Sequence, residues 1–191
     1  MAIPNAEEAA RILAARRLPH GIVAHSEGVA RVATVAARRL EAAGIPIDVG
    51  LVEAAALLHD IDKLETRDGR GLHGVVGAGI LESMGFAELA PPVASHPLSA
   101  LLDDQRFPRG WPSVVVSVAD KHVAQEFLTV DDRLDDMARR YPQYRAEIAA
   151  ARRPARALEQ ELADVIGVSV ADLVEKLRVA WQAPLGERTG R

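Results

Sequence analysis

Cysteine is absent from this chain, aromatic residues make up only 4% of it, and basic residues never gather into a long run. The first absence removes disulfides, thiolate metal sites and cysteine nucleophiles together, so any metal must be held by histidine and carboxylate groups. The scarcity of aromatics beside 49% apolar residues leaves Ala, Leu, Val and Ile to build the core, which favours closely packed helices. With a net charge of −4, and only a short basic patch at Arg152, Arg153 and Arg156, capture of a nucleic-acid backbone is not expected. No run of about 18 apolar residues occurs, and no basic start leads into an apolar stretch, so neither membrane spanning nor export is expected and the plain reading is cytoplasmic. At 191 residues the chain reads as one domain with a sizeable core.

What is present is helical pattern almost from end to end. In "PNAEEAARILAARRL", Asn5 reads as an N-cap, Glu7 and Glu8 suit the first turn, and Pro19 stops the helix. The second helix, "HSEGVARVATVAARRLEAAG", has Val29, Val32, Val35 and Ala36 at three- and four-residue spacing and ends at Gly44. Asp48 caps a third, "LVEAAALLHD", apolar nearly all round and therefore central. A loop, "ETRDGRGLHG", leads to a helix stopped by Gly85, and Pro91 and Pro92 open a short one. "SVVVSVADKHVAQEF" would be a strand by propensity; it is read as helix, partly because no second strand candidate exists to pair with it. Further helices are expected from "DDRLDDMARRYPQYRAEIAAARR" and from the segment beyond Pro154, the last capped by Ser169 with Asp172. The division is an N-terminal helix over 1–19, a helical core over 20–130, a C-terminal helical extension packed on it over 131–183, and a frayed tail over 184–191.

The stretch "AAALLHDIDKLE" interrupts this pattern with chemistry. A buried helix runs straight into His59, Asp60, Asp62 and Lys63, and burying such groups costs several kcal/mol unless they are paired or bind a metal. His25 and Asp120 likewise interrupt apolar helical faces, and imidazole with carboxylate is a natural shell for a divalent ion. His20, His122 and Arg133 are read as structural or exposed. A glycine pattern, "GRGLHG" at 69–74, fits a dinucleotide fingerprint in spacing alone, because the charged segment before it is no strand. Motifs of P-loops, zincins and nucleophile-elbow hydrolases are missing.

Taken together and in order, "HSEGVARVA", "LLHDIDK" and "VADKH" resemble the HD superfamily of metal-dependent phosphohydrolases over about residues 20–130. The resemblance implies an all-α, single compact helical bundle, here with extra C-terminal helices. It implies that His25, His59, Asp60 and Asp120 hold a divalent ion (Mn, Fe, Co, Ni or Zn, with Mg an option). "LHGVVGAGIL" and His96 look like the extra histidines of two-metal relatives, so His73 and His96 would hold a second ion with Asp60 shared. Pro97 stands where many such relatives have another ligand or Thr, so that ion should bind more weakly. No "GYP" follows, which withholds support from cyclic di-GMP hydrolysis. The implied activity is hydrolysis of a phosphate ester or anhydride in a nucleotide or small phosphorylated metabolite; a homodimer stays open. Asp60, Asp62, Lys63 and Lys121 are the candidate catalytic residues. The lysines would meet phosphate oxygens, and Asp62 could orient a histidine, move a proton or pair with a lysine. The alternative is a non-catalytic regulatory module that binds metal and nucleotide.

Overall fold

A computed structural model describes residues 3–182, and the expected tail at 184–191 lies outside them. Among the described residues the chain is all-α, with α1 (Ala6–Ala15), α2 (His20–Ala42), α3 (Val49–Leu58), α4 (Val75–Ser83), α5 (Ala90–Ser95), α6 (Trp111–His122), α7 (Val130–Arg140), α8 (Arg145–Ile166) and α9 (Val170–Gln182). No helix among them is long and apolar enough to cross a membrane.

The caps are those the side chains dictate. Asn5, Asp48, Thr129 and Ser169 each accept an N–H from three residues on, satisfying donors that a helix start leaves orphaned. α1 ends at Ala15 and the chain turns away at Arg17, which adopts a left-handed φ of 53°, two residues ahead of the expected stop at Pro19. Pro19 instead precedes α2, which begins at His20 and so places His25 in its second turn. α3 is the hub: Val52 and every residue from Ala54 to Leu58 are buried, and it packs against α1, α2, α5 and α6. Its alanines are buried, as are Ala33, Ala36 and Ala37 of α2, and the two helices, poor in aromatics, pack on one another with small side chains in the core.

Two expectations about boundaries are overturned. α6 is helical through its valines, because Val114, Val115, Val116 and Val118 bury against α2, α3, α5 and α8, which overrides β propensity. It stops at His122, however, and the expected continuation through Phe127 is a reversal instead. Val123 bridges Phe127, and His122 holds the turn by donating from Nδ1 to the Leu128 carbonyl at 2.8 Å. The second correction concerns Pro154, which lies inside α8, while the break falls at Pro142. Losing one backbone hydrogen bond at Pro154 is offset by an apolar stripe continuous across it, with Ile148, Ala151, Ala155, Leu158 and Leu162 all buried. α9 lies along α2 and α8. Gly28 makes that approach possible, since a Cβ there would sit 3.3 Å from the Trp181 ring nitrogen and 3.0 Å from Val123.

Candidate metal centre

Five elements deliver the polar groups to one place. α2 brings His25, the C-terminal end of α3 brings His59 and Asp60, the loop before α4 brings His73, α5 ends in His96, and α6 carries Asp120. After Leu58 the helix gives way to successive turns, with Ile61 and Lys63 donating to the carbonyls of Leu58 and Asp60. Asp60 and Lys63 thereby share one side, 3.2 Å apart, while Ile61 and Asp62 point into the interior.

The imidazoles are held in a single orientation. His59 Nδ1 lies 2.7 Å from the Ala56 carbonyl and His96 Nδ1 lies 2.7 Å from the Val93 carbonyl; a carbonyl can only accept, so each Nδ1 carries the proton. His73 Nδ1 is fixed likewise by Asp62 Oδ1 at 2.8 Å. All three rings therefore aim an Nε2 lone pair inward, toward Asp60 Oδ1 at 3.5, 3.5 and 3.2 Å for His59, His96 and His73. On the other side, His25 Nε2 lies 3.2 Å from His59 Nε2 and 3.1 Å from Asp120 Oδ1.

Such an arrangement fits a divalent cation. The Nε2 atoms of His73 and His96 stand 3.1 Å apart with both Nδ1 atoms spoken for, which sets lone pair against lone pair unless a positive charge lies close by. Two nitrogens each about 2.1 Å from one ion would stand about 3.0–3.4 Å apart, as both histidine pairs do. Two groups have ligand atoms mutually within 4.8 Å: His25, His59 and Asp120, and His59, Asp60 and His96. Lys63 Nζ brings a positive charge close to this cluster, 2.8 Å from His73 Nε2 and 3.2 Å from Asp60 Oδ1.

Electrostatics keep the donors in ligating form. Burial alone would raise Asp60, but the surrounding rings of His59, His73 and His96 and the ammonium of Lys63 favour its ionised form, outweigh burial and hold the carboxyl well below the usual carboxylate range. Asp120 is likewise held low against burial, chiefly by Lys121 and the His25 contact. Burial pushes His96 down to about 3 and lowers His59 as well, so both stay neutral at physiological pH. His73 goes the other way: burial would lower it, but the carboxylates of Asp60 and Asp62, which accept from its ring, outweigh burial and raise it.

Two of the four candidate catalytic residues have their functional atoms engaged elsewhere. Asp62 is fully buried; Oδ1 accepts from His73, and Oδ2 accepts the N–H groups of Gly74 at 2.8 Å and Gly77 at 2.9 Å. Of the three parts considered for it, the geometry matches orientation of a histidine and leaves it no proton to move. Lys121 is nearly as buried and donates to the His96 carbonyl at 2.7 Å and to Asp120 Oδ2 at 2.9 Å. It joins the two halves of the centre, although it borders the cleft. Lys63, about a third exposed, faces outward. His20 is exposed, and His122 is buried against Glu159 at 2.9 Å, so both stand apart from the centre.

The centre forms the floor of a cleft of about 360 Å³, within the size range of small-molecule sites. Apart from Asp60 and Asp120, its charged lining is cationic: Lys63, Lys121, Arg133 and Arg140. The two arginines come from α7, where positions 133, 137 and 140 repeat at helical spacing and turn one face to the cleft. Neither arginine is among the expected site residues: Arg133 reads in the sequence as structural or exposed, and no role is singled out there for Arg140. The i, i+4, i+7 recurrence of Arg, Met and Arg was the available signal.

This folding pattern and this donor set agree with the comparison against protein families. The HD domain model matches residues 22–177, and the chain belongs to that family. The match takes in α7, α8 and most of α9, well beyond the motif region near residues 20–130. An uncharacterized protein of Methanocaldococcus jannaschii is 30% identical over 129 residues, 63% of this chain and 75% of its own. No solved structure matches the chain.

Proposed function

We propose that the protein is a metal-dependent phosphohydrolase that cleaves a phosphate ester or anhydride of a nucleotide or small phosphorylated metabolite. The observation that carries the reading is the convergence of inward-aimed Nε2 atoms and two ionised carboxylates on the floor of a cleft walled by cations. His25, His59, Asp60 and Asp120 would hold one ion, and His73 and His96, with Asp60 shared, a second. Mixed imidazole and carboxylate donors accept Mn, Fe, Co, Ni or Zn. When bound, such an ion would polarise a phosphoryl oxygen and bring the pKa of water toward about 7.

The chain's own part is to orient and to neutralise. The carbonyls of Ala56 and Val93 and the carboxylate of Asp62 lock three imidazoles before anything binds, so no reorganisation is needed at the moment of reaction. Lys63, exposed to the cleft beside Asp60, meets a non-bridging phosphate oxygen. Arg133 and Arg140 approach from α7, and their planar forks suit phosphate oxygens better than a point charge does.

Phosphate release from a panel of nucleotides and sugar phosphates, with Mn²⁺, Fe²⁺, Co²⁺ or Mg²⁺, tests the reading. The expected result is metal-dependent release that is lost in Asp60→Asn while the helical circular-dichroism spectrum and the melting transition persist. No release from any member by metal-loaded protein, or full activity in Asp60→Asn, would overturn it.

A further inference from the structure

The cleft does not end at the metal centre. It continues into a side recess that shares Ile22, Lys63 and His73 with it and is otherwise lined by Pro19, Leu64, Thr66, Arg67, Tyr141 and Tyr144. The sequence holds only two tyrosines, and both stand here, three positions apart. They belong to the short 3₁₀ turn after α7, where Tyr144 N–H donates to the Tyr141 carbonyl at 3.0 Å, and side chains at i and i+3 of such a turn lie on one side. Tyr141 N–H in turn donates to the Met137 carbonyl at 2.8 Å, which ties the turn to the helix whose arginines line the cleft. Both rings are about half exposed, at 48% and 51%, and Leu64 beside them is 39% exposed.

A chain that spends 4% of its residues on aromatics has no structural need for two half-exposed tyrosines at the rim of its cleft. The recess has no carboxylate in its lining, and Lys63 and Arg67 make it cationic. Flat apolar faces, polar hydroxyl edges and positive charge together suit a planar, electron-rich ring attached to an anion. We infer that Tyr141 and Tyr144 form a base-binding subsite, so that a nucleotide lies with its base in this recess and its phosphate at the metal centre. The inference rests on the phosphohydrolase reading for the phosphate end, and it names nucleotides as the substrate class.

Isothermal titration of the full-length protein with adenosine 5′-monophosphate and with ribose 5-phosphate separates the base from the phosphate, and it is run both without metal and with Mn²⁺. The parent protein should bind the nucleotide about tenfold or more tightly. A Tyr141→Leu, Tyr144→Leu double variant should lose that gap with ribose 5-phosphate affinity unchanged, and Tyr→Phe at both positions should keep it. Because both rings are half exposed, the leucine variant is expected to fold, which its melting transition checks. Equal affinity of the parent for the two probes, or a gap that survives in the leucine variant, would overturn the subsite. The two readings fail separately: phosphate release without any base preference removes only the subsite, and a tyrosine-dependent preference without release from any substrate removes only the hydrolase.

Discussion

Lys63 and Lys121 each follow a candidate ligand carboxylate closely, yet their surroundings assign them different work. Lys63 reaches the cleft, so Lys63→Ala should retain metal, by elemental analysis, while turnover falls about 10²-fold, the loss of an electrostatic donor at a reacting centre. Full activity in that variant would return the lysine to the surface. Lys121 is buried and spans Asp120 and the His96 carbonyl, so Lys121→Met leaves a carboxylate in the interior with its main counter-charge gone. Its cost should be about 3 kcal/mol in denaturant unfolding with chelator, and smaller with saturating Mn²⁺, which replaces the lost positive charge. Equal loss under both conditions would mean that Lys121 supports packing only. The histidines give the pH dependence of the metal-free protein. His96 sits near 3 in the folded chain against about 6.5 unfolded, so below pH 6.5 the unfolded state takes up the proton first. Stability is complete above that point and is lost as pH falls, with His59 acting in the same sense and Asp60 and Asp120 joining below about 4. His73, raised when folded, works in the opposite sense and is outnumbered. Melting of chelator-treated protein should show about 1–2 kcal/mol lost between pH 7 and pH 5; a flat profile would contradict neutral, buried imidazoles.

The start of α4 shows how an element places a side chain. Gly74 has φ of 83°, and a Cβ there would lie 2.8 Å from the Val93 carbonyl oxygen; Gly77 packs so closely that a Cβ would sit 3.3 Å from the Asp62 carboxyl carbon. Both glycines donate to Asp62, which in turn fixes His73, so the proposed second ion would depend on this helix start. Gly74→Ala should lower stability by about 1–3 kcal/mol and weaken the second of two binding events in a metal titration. Gly79→Ala, in the same helix with nothing within 4 Å, should be neutral or stabilising by up to about 1 kcal/mol. If the two behave alike, the close approach at Gly74 has been misjudged. These dependencies were invisible in the sequence, because they need the loop from 64 to 73 to fold back on the end of α3. The metal-site candidates were legible for the opposite reason: His25, His59, Asp60 and Asp120 stand out from apolar faces that would otherwise be uninterrupted. α7 hid its part, since Arg133 and Arg140 stand among many charged residues outside its buried Val130 and Leu134, where a functional face and a solvated face look alike, and Tyr141 follows the helix. Pro154 misled because the stripe that carries α8 across it is visible only when both sides of the proline are read as one helix. The reversal at 123–127 was missed because its determinant, the His122 hydrogen bond to Leu128, spans six residues and leaves no periodic trace.

The six donor residues at the centre, from His25 to Asp120, span most of the core in sequence and come from five separate elements of one packed bundle. One ion on His25, His59, Asp60 and Asp120 would join α2, α3 and α6, and a second on Asp60, His73 and His96 would join α3, the loop before α4 and α5, so the two would cross-link segments well separated in the unfolded chain. Binding to the folded state alone adds RT ln(1 + [L]/Kd), about 4 kcal/mol at a thousandfold excess over Kd. For a chain of this size each kcal/mol moves the midpoint by about 2–4 °C, so saturating Mn²⁺ should raise Tm by about 8–16 °C over the chelated protein. The rise should continue with metal concentration beyond stoichiometric binding, as linkage requires, and the transition should stay single because one bundle surrounds the site. Asp60→Asn should abolish most of the shift, whereas Tyr141→Leu with Tyr144→Leu, outside the donor set, should leave it intact. A scanning-calorimetry series at increasing Mn²⁺ measures all of this. A Tm that does not respond to metal in the parent would mean that these donors are satisfied by one another and by Lys63 alone, and the metal assignment would fall with it.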